Sequence, residues 1–166
     1  CLNDCRPARC GDGFRYPRTE ACDDGNRSNL DACLNDCRNA RCGDGFLWRD
    51  QEACDDGDGD NTDECLSTCE VARCGDGAVH AGVEECDDEN LDNDDACLSS
   101  CRHARCGDGH RWQGQEPCDD GNALQTDDCL TGCVLPSCGD GHVWADHEAC
   151  DDGNALQTDD CLTGCV

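Results

Sequence analysis

The sequence predicts a small disulfide-rich repeat array. Each 32-residue unit is expected to hold little regular secondary structure beyond a short β-hairpin and one helical turn, with the units stacked into an elongated rod. Three observations predict this. Cys-Gly-Asp-Gly begins at Cys10, Cys42, Cys74, Cys106 and Cys138, a constant step of 32 residues, which is the signature of a repeat array. The other cysteines keep the same step: Cys22, Cys54, Cys86, Cys118 and Cys150; Cys33, Cys65, Cys97, Cys129 and Cys161; Cys37, Cys69, Cys101, Cys133 and Cys165. Against 22 cysteines in 166 residues stand only 3 Trp, 1 Tyr and 2 Phe, too little apolar mass for one central core.

The repeats run over residues 10–41, 42–73, 74–105, 106–137 and 138–166, and residues 1–9, with Cys1 and Cys5, read as the truncated end of a preceding unit. The unit is C-G-D-G-x6-E-x-C-D-D-[GE]-[ND]-x4-D-x-C-L-x2-C plus a four-residue spacer. These ends suggest a window cut from a longer chain. Residues 118–134 recur identically as 150–166, the mark of a recent duplication.

In the first half of each unit, Phe14 and Tyr16, Phe46 and Trp48, and His110 and Trp112 stand two apart, on one face of an extended stretch. A turn near Pro17 brings Glu20 to Cys22 back alongside, which predicts the hairpin. In the second half, Asp31 can cap a helical turn from Ala32 to Cys37 that puts Cys33 and Cys37 on one face. Three pairings of four cysteines are open. The expected one is nested, Cys10 with Cys37 and Cys22 with Cys33. Each bridge contributes roughly 3 kcal/mol, more than the roughly 2 kcal/mol from burying Leu34. So many cysteines point to an oxidising, extracellular setting.

The acidic residues carry the functional signal. With 39 Asp and Glu against 12 basic residues, all Arg, the formal charge is -27. The carboxylates sit at fixed registers, where a merely solvated surface would scatter them. The oxygen donors are Asp12, Asp23, Asp24, Asn26 and Asp31 in repeat 1; Asp44, Asp55, Asp56, Asp58 and Asp63 in repeat 2; Asp76, Asp87, Asp88, Asn90 and Asp95 in repeat 3. Repeat 4 offers Asp108, Asp119, Asp120, Asn122 and Asp127, and repeat 5 offers Asp140, Asp151, Asp152, Asn154 and Asp159. Glu20 stands beside the first set. Two carboxylates 4 Å apart repel by about 4 kcal/mol at an effective dielectric near 20. Arg9, Arg41, Arg73 and Arg105 recur only once per unit, so the expected counter-charge is a hard divalent cation with oxygen ligands, and calcium fits best. One or two calcium ions per repeat are expected; one per complete repeat brings the charge from -27 to -17. The competing reading is turn chemistry, which Asp, Asn and Gly also serve, although turns alone need no Asp pair in every unit. Asp56, Asp58 and Asp60 mimic an EF-hand opening, but the twelfth position is Ser67.

The unit motif resembles the Myxococcus cysteine-rich repeat, a domain of unknown function found as tandem arrays in secreted and surface proteins, and is similar in flavour to the calcium-binding Notch-type repeat. The resemblance covers the whole chain. It implies disulfides and an extracellular site, without an activity. Departures from the pattern are Glu89 for Gly25, Asp58 for Asn26, and Ala78 and His80 for the aromatic pair, so the third repeat is expected to pack more loosely.

Zinc is disfavoured because within a unit only Cys33 and Cys37 are close in sequence and their surroundings suit hard ions. His80, His103, His110, His142 and His147 hold differing registers, apart from His110 and His142. No enzyme is expected: a string of small units has no obvious cleft, and an acid pair repeated five times is what ligation or structure produces. The negative charge argues against nucleic acid, and no apolar run reaches membrane length. The expected function is a calcium-binding structural array that forms a stiff fibre, filament or surface stalk with itself as partner. The alternative is an adhesive surface for carbohydrate or protein, using Trp48, Trp112, Trp144 and the acidic positions. Glycans are a further expected partner class, through the sequon Asn26-Arg27-Ser28 or O-linkage at residues such as Thr62, Ser67, Thr68, Thr126, Thr131, Thr158 and Thr163.

Overall fold

Two nested disulfides close every repeat, and of the three pairings open to the sequence this is the one present throughout. The outer bridges are Cys10–Cys37, Cys42–Cys69, Cys74–Cys101, Cys106–Cys133 and Cys138–Cys165. The inner bridges are Cys22–Cys33, Cys54–Cys65, Cys86–Cys97, Cys118–Cys129 and Cys150–Cys161. The computed structural model describes residues 7, 9–154, 156, 161, 164 and 165, so Cys1, Cys5, Thr158, Asp159 and Thr163 lie outside the described residues. Closing the 27-residue outer loop contributes about 3.6 kcal/mol on the chain-entropy account and the 11-residue inner loop about 2.8 kcal/mol. The core of a repeat is these cystines with one leucine and, in repeats 1 and 3, an alanine: Leu34 is 6% exposed, Cys37 3% and Ala40 6%.

Among the described residues there is no helix and no strand longer than an isolated bridge. The expected hairpin and helical turn take different forms. In the first half, Thr19 and Glu20 donate their amides to the Tyr16 carbonyl, so the chain does reverse at Pro17. The return segment then forms no ladder. Instead the Glu20 carboxylate accepts from the Tyr16 amide at 2.6 Å, a role that Glu52 fills for Trp48, Glu116 for Trp112 and Glu148 for Trp144. One side chain stands in for a strand rung.

The second half forms a minimal reversal rather than a helical turn. Leu34 donates to Arg38 at 2.9 Å, Ala40 to Ala32 at 3.1 Å and Cys37 to Leu34 at 2.8 Å, with an antiparallel bridge between Cys33 and Asn39. The physical reason is Cys37. It sits at φ 59°, as Cys69, Cys101, Cys133 and Cys165 also sit in the left-handed region, and a helix cannot run through such a residue. Its carbonyl accepts from both Ala21 and Cys22, at 2.9 and 3.3 Å, while its sulfur holds Cys10. These contacts bind the two halves of the repeat together and over-determine a conformation that is otherwise costly.

A backbone hydrogen bond of constant register reaches from each of repeats 2 to 5 back to the loop of the repeat before it. Arg49 donates to the Leu30 carbonyl at 3.1 Å, Ala81 to Thr62 at 2.7 Å, Gln113 to Asp94 at 2.6 Å and Ala145 to Thr126 at 2.8 Å. The chain divides into two compact units, Cys1–Arg73 with Ala78–Val83, and Cys74–Gly77 with Glu84–Val166; each of these bonds lies inside one unit. Pro17 holds the donor register in repeat 1 and has no amide hydrogen to give.

That proline shows the backbone at this register tolerates the residue, so Arg49→Pro removes one linking bond and little else. A backbone hydrogen bond contributes about 1 kcal/mol net. Trypsin cleavage at Arg38 and Arg41 of the oxidised chain is therefore expected to accelerate about five-fold in the variant. An unchanged rate would show that the bond does not govern the joint.

Candidate functional site

The five predicted donor registers separate into two groups with different work. The first is built on Asp23 and its equivalents. Its carboxylate accepts from the amides of Gly11 at 2.9 Å, Asp12 at 3.3 Å, Gly13 at 2.7 Å and Gly25 at 3.0 Å. A carboxylate offers about four lone-pair sites, so this one is fully used. Asp55, Asp87, Asp119 and Asp151 close the corresponding loops in the same way. The glycines make the clamp possible: Gly13 has φ 85° and Gly25 φ 76°, and a Cβ on Gly25 would lie 3.2 Å from Gly13 Cα. Desolvation raises the Asp23, Asp87 and Asp119 carboxyls, but the converging amide donors outweigh it and all three end below the ordinary 3.8. At Asp151 the Gly153 amide is the largest influence, and the carboxyl is likewise lowered.

Asp12 belongs with this group. It accepts from the Arg9 amide at 2.9 Å and the Phe14 amide at 3.0 Å, and Asp44, Asp108 and Asp140 repeat the arrangement.

The second group is the loop from Asp24 to Asp31, held by side chains that each accept an amide two residues on. Asp24 accepts from Asn26 at 3.1 Å, Asn26 from Ser28 at 2.6 Å, Ser28 from Leu30 at 3.0 Å and Asp31 from Cys33 at 3.3 Å. This is turn chemistry, and it accounts for one oxygen of each residue. It leaves the carboxylates of Asp24 and Asp31 facing each other within hydrogen-bonding reach, the latter also accepting from the Asn26 amide group at 3.0 Å. In repeat 3, Asp88 and Asp95 form the same pair, and Asn90 donates to Asp95 at 3.1 Å. Burial first, then contact with Asp95, raises the Asp88 carboxyl, while the Asn90 amide lowers Asp95. In repeat 4, Asp127 Oδ1 is buried without a hydrogen-bond partner. Asp56 and Asp63 hold these registers in repeat 2, while in repeat 5 Asp152 is described and Asp159 is not. The ion pairs Arg38–Asp36 at 3.3 Å and Arg105–Glu85 at 3.2 Å involve other residues.

Cysteine, aspartate and glutamate atoms also converge within 4.8 Å, for example in Glu20, Asp23 and Cys37, or Cys138, Glu148, Asp151 and Cys165. The sulfurs there are in disulfides and supply no thiolate. The aspartate is the clamp residue, so these clusters are better explained as packing of the clamp against the outer bridge.

Two roles were not read from the sequence. Glu20 and its equivalents hold the first turn, signalled by the invariant Glu-x-Cys of the unit. Asn29, Asn61 and Asn93 accept from the amides of Asn35, Ser67 and Ser99 at 2.7 to 2.8 Å, signalled only by an Asn at one register in three repeats. The tryptophans are half-buried; Trp144 stacks on His147 with ring centres 4.0 Å apart and donates to Asp128 at 3.1 Å.

Residues 130–166 match a family described as a domain of unknown function, DUF4215, and the match assigns neither a Myxococcus repeat nor a Notch-type repeat. No curated protein and no solved structure matches the chain.

Two outcomes follow from the clamp. Carboxyls depressed by folding stabilise the fold above their unfolded value near 3.8, and that stabilisation disappears as pH falls through the folded value. The near-ultraviolet circular dichroism of the oxidised chain is expected to stay constant from neutral pH to about 4 and to collapse below about 3.8, reversibly. Glu89, at φ 67°, occupies a register where Gly25, Gly57, Gly121 and Gly153 also have positive φ. Glu89→Gly is expected to stabilise repeat 3 by about 1 kcal/mol, read as slower proteolysis within that repeat.

Proposed function

We propose that the chain is an extracellular structural array in which each repeat holds one hard divalent cation, calcium by preference, between the carboxylates of the Asp24 and Asp31 registers. The facing carboxylate pair is the observation that carries this reading. At neutral pH two ionised carboxylates in contact need a proton or a cation between them, and no Arg takes part in the pairs described. The buried, unpartnered Asp127 Oδ1 fits an ion ligand in repeat 4. The donor set is all oxygen, as calcium requires, with water completing the shell. The clamp aspartates have no lone pair left, which favours one ion per repeat over two.

The disulfides support an oxidising compartment, and no helix among the described residues is long and apolar enough to cross a membrane. The role we infer is mechanical, a fibre or surface stalk of covalently joined repeats, with cation and disulfides stiffening each repeat. It involves no catalysis, since one carboxylate arrangement recurs along the chain. The adhesive reading has less support, because Trp144 is already engaged by His147 and Asp128.

Native mass spectrometry of the oxidised chain during a calcium titration tests the proposal. One ion per repeat is expected, with one ion fewer in Asp95→Asn and no loss in Glu85→Gln, whose side chain belongs to the Arg105 pair. Absence of bound calcium, or full stoichiometry in Asp95→Asn, would leave the loops as turns alone.

A further inference from the structure

The chain contains ten Asp-Gly dipeptides and no Asn-Gly. Asp-Gly is where backbones rearrange most readily, because glycine leaves its amide nitrogen unhindered for attack on the preceding side chain. In nine of the ten, that nitrogen is occupied. Gly13, Gly25, Gly45, Gly57 and Gly77 donate to a clamp aspartate at 2.7 to 3.0 Å. Gly109, Gly121, Gly141 and Gly153 do the same at 2.7 to 2.9 Å. The exception is Asp58-Gly59 in repeat 2. The Gly59 amide donates no hydrogen bond, the residue is exposed, and no atom lies within 4 Å of the position a Cβ would take.

We propose that Asp58 is the site at which this protein modifies itself, forming isoaspartate through a succinimide. The Gly59 nitrogen attacks Cγ of the protonated Asp58 carboxyl, loses its proton, and the carboxyl hydroxyl leaves as water. The five-membered imide then takes up one water at either carbonyl. One opening restores aspartate; the other routes the main chain through Cβ and Cγ and leaves a free α-carboxylate. No oxidant or cofactor is required. Attack needs a free amide nitrogen, and the clamp withdraws it at the other nine positions. The extra main-chain atom falls in the loop closed by Cys54–Cys65, so the bridge confines the change to repeat 2.

The test is peptide mapping of the oxidised chain after prolonged incubation at physiological pH and temperature, in chelator so that cation binding plays no part. Isoaspartate is quantified by methyltransferase labelling and fragmentation. Conversion at residue 58 is expected to exceed that at each of the other nine sites by about ten-fold or more, the factor imposed by breaking a hydrogen bond to a charged acceptor. In the reduced, unfolded chain the ten sites are expected to converge. In the folded variant Gly59→Ala, which has room for its methyl group, labelling at residue 58 is expected to disappear. Equal conversion across the folded chain, the same preference in the unfolded chain, or persistent labelling in Gly59→Ala would each overturn the proposal.

Discussion

A half-buried aspartate that gathers backbone amides is the contact from which the rest of each repeat follows. The Cys-Gly-Asp-Gly segment has no partner strand, so its amides need an acceptor close by. Asp23 supplies two oxygens to the amides of Gly11, Asp12, Gly13 and Gly25 at once, which turns the segment into a nest around its own chain's anion. Because Asp23 follows Cys22 directly, placing the carboxylate also places the inner disulfide. The outer disulfide then packs against the same oxygen, Cys37 Sγ lying 4.0 Å from Asp23 Oδ2.

This arrangement solves the problem of folding 32 residues with almost no apolar side chains. One leucine per repeat cannot balance the conformational entropy of the chain. Two cross-links lower the entropy of the unfolded state, and side-chain acceptors supply the hydrogen bonds that strands or helices ordinarily make among themselves. Glu20, Asp12 and Asn29 are further examples, each accepting an amide in a place where a ladder or helix would have used a carbonyl. A high acidic content is then partly structural: carboxylates are the acceptors that hold the backbone.

The two acidic groups differ in electrostatics as well as in position. The clamp carboxylates face amide hydrogens, which stabilise the charge. Those of Asp24 and Asp31, or Asp88 and Asp95, face each other, which does not. The cation we propose would offset the repulsion in the second group and is unnecessary for the first. The contrast also explains why the same -27 chain does not need an ion for every pair of acids.

The repeat length and the candidate cysteines were legible in the sequence, because a covalent period of 32 needs no energetic argument to be seen. The acidic registers were legible as positions, and the nested bridges followed as one of three pairings. Their division of labour was not legible. Asp23 and Asp24 are adjacent and chemically identical, yet one is filled by amides and the other faces Asp31, a difference decided by where Gly11, Gly13 and Gly25 bring their backbones. The helical turn expected over Ala32 to Cys37 failed for a related reason: Cys33 and Cys37 have helical spacing, but the carbonyl of Cys37 is pulled toward Ala21 and Cys22, turning the residue to positive φ. Sequence alone determined the period, the cross-linking residues and the excess of charge, because these are properties of the covalent chain. Only tertiary structure decided which carboxylates hold the backbone and which face another carboxylate, because that depends on contacts between segments about a dozen residues apart.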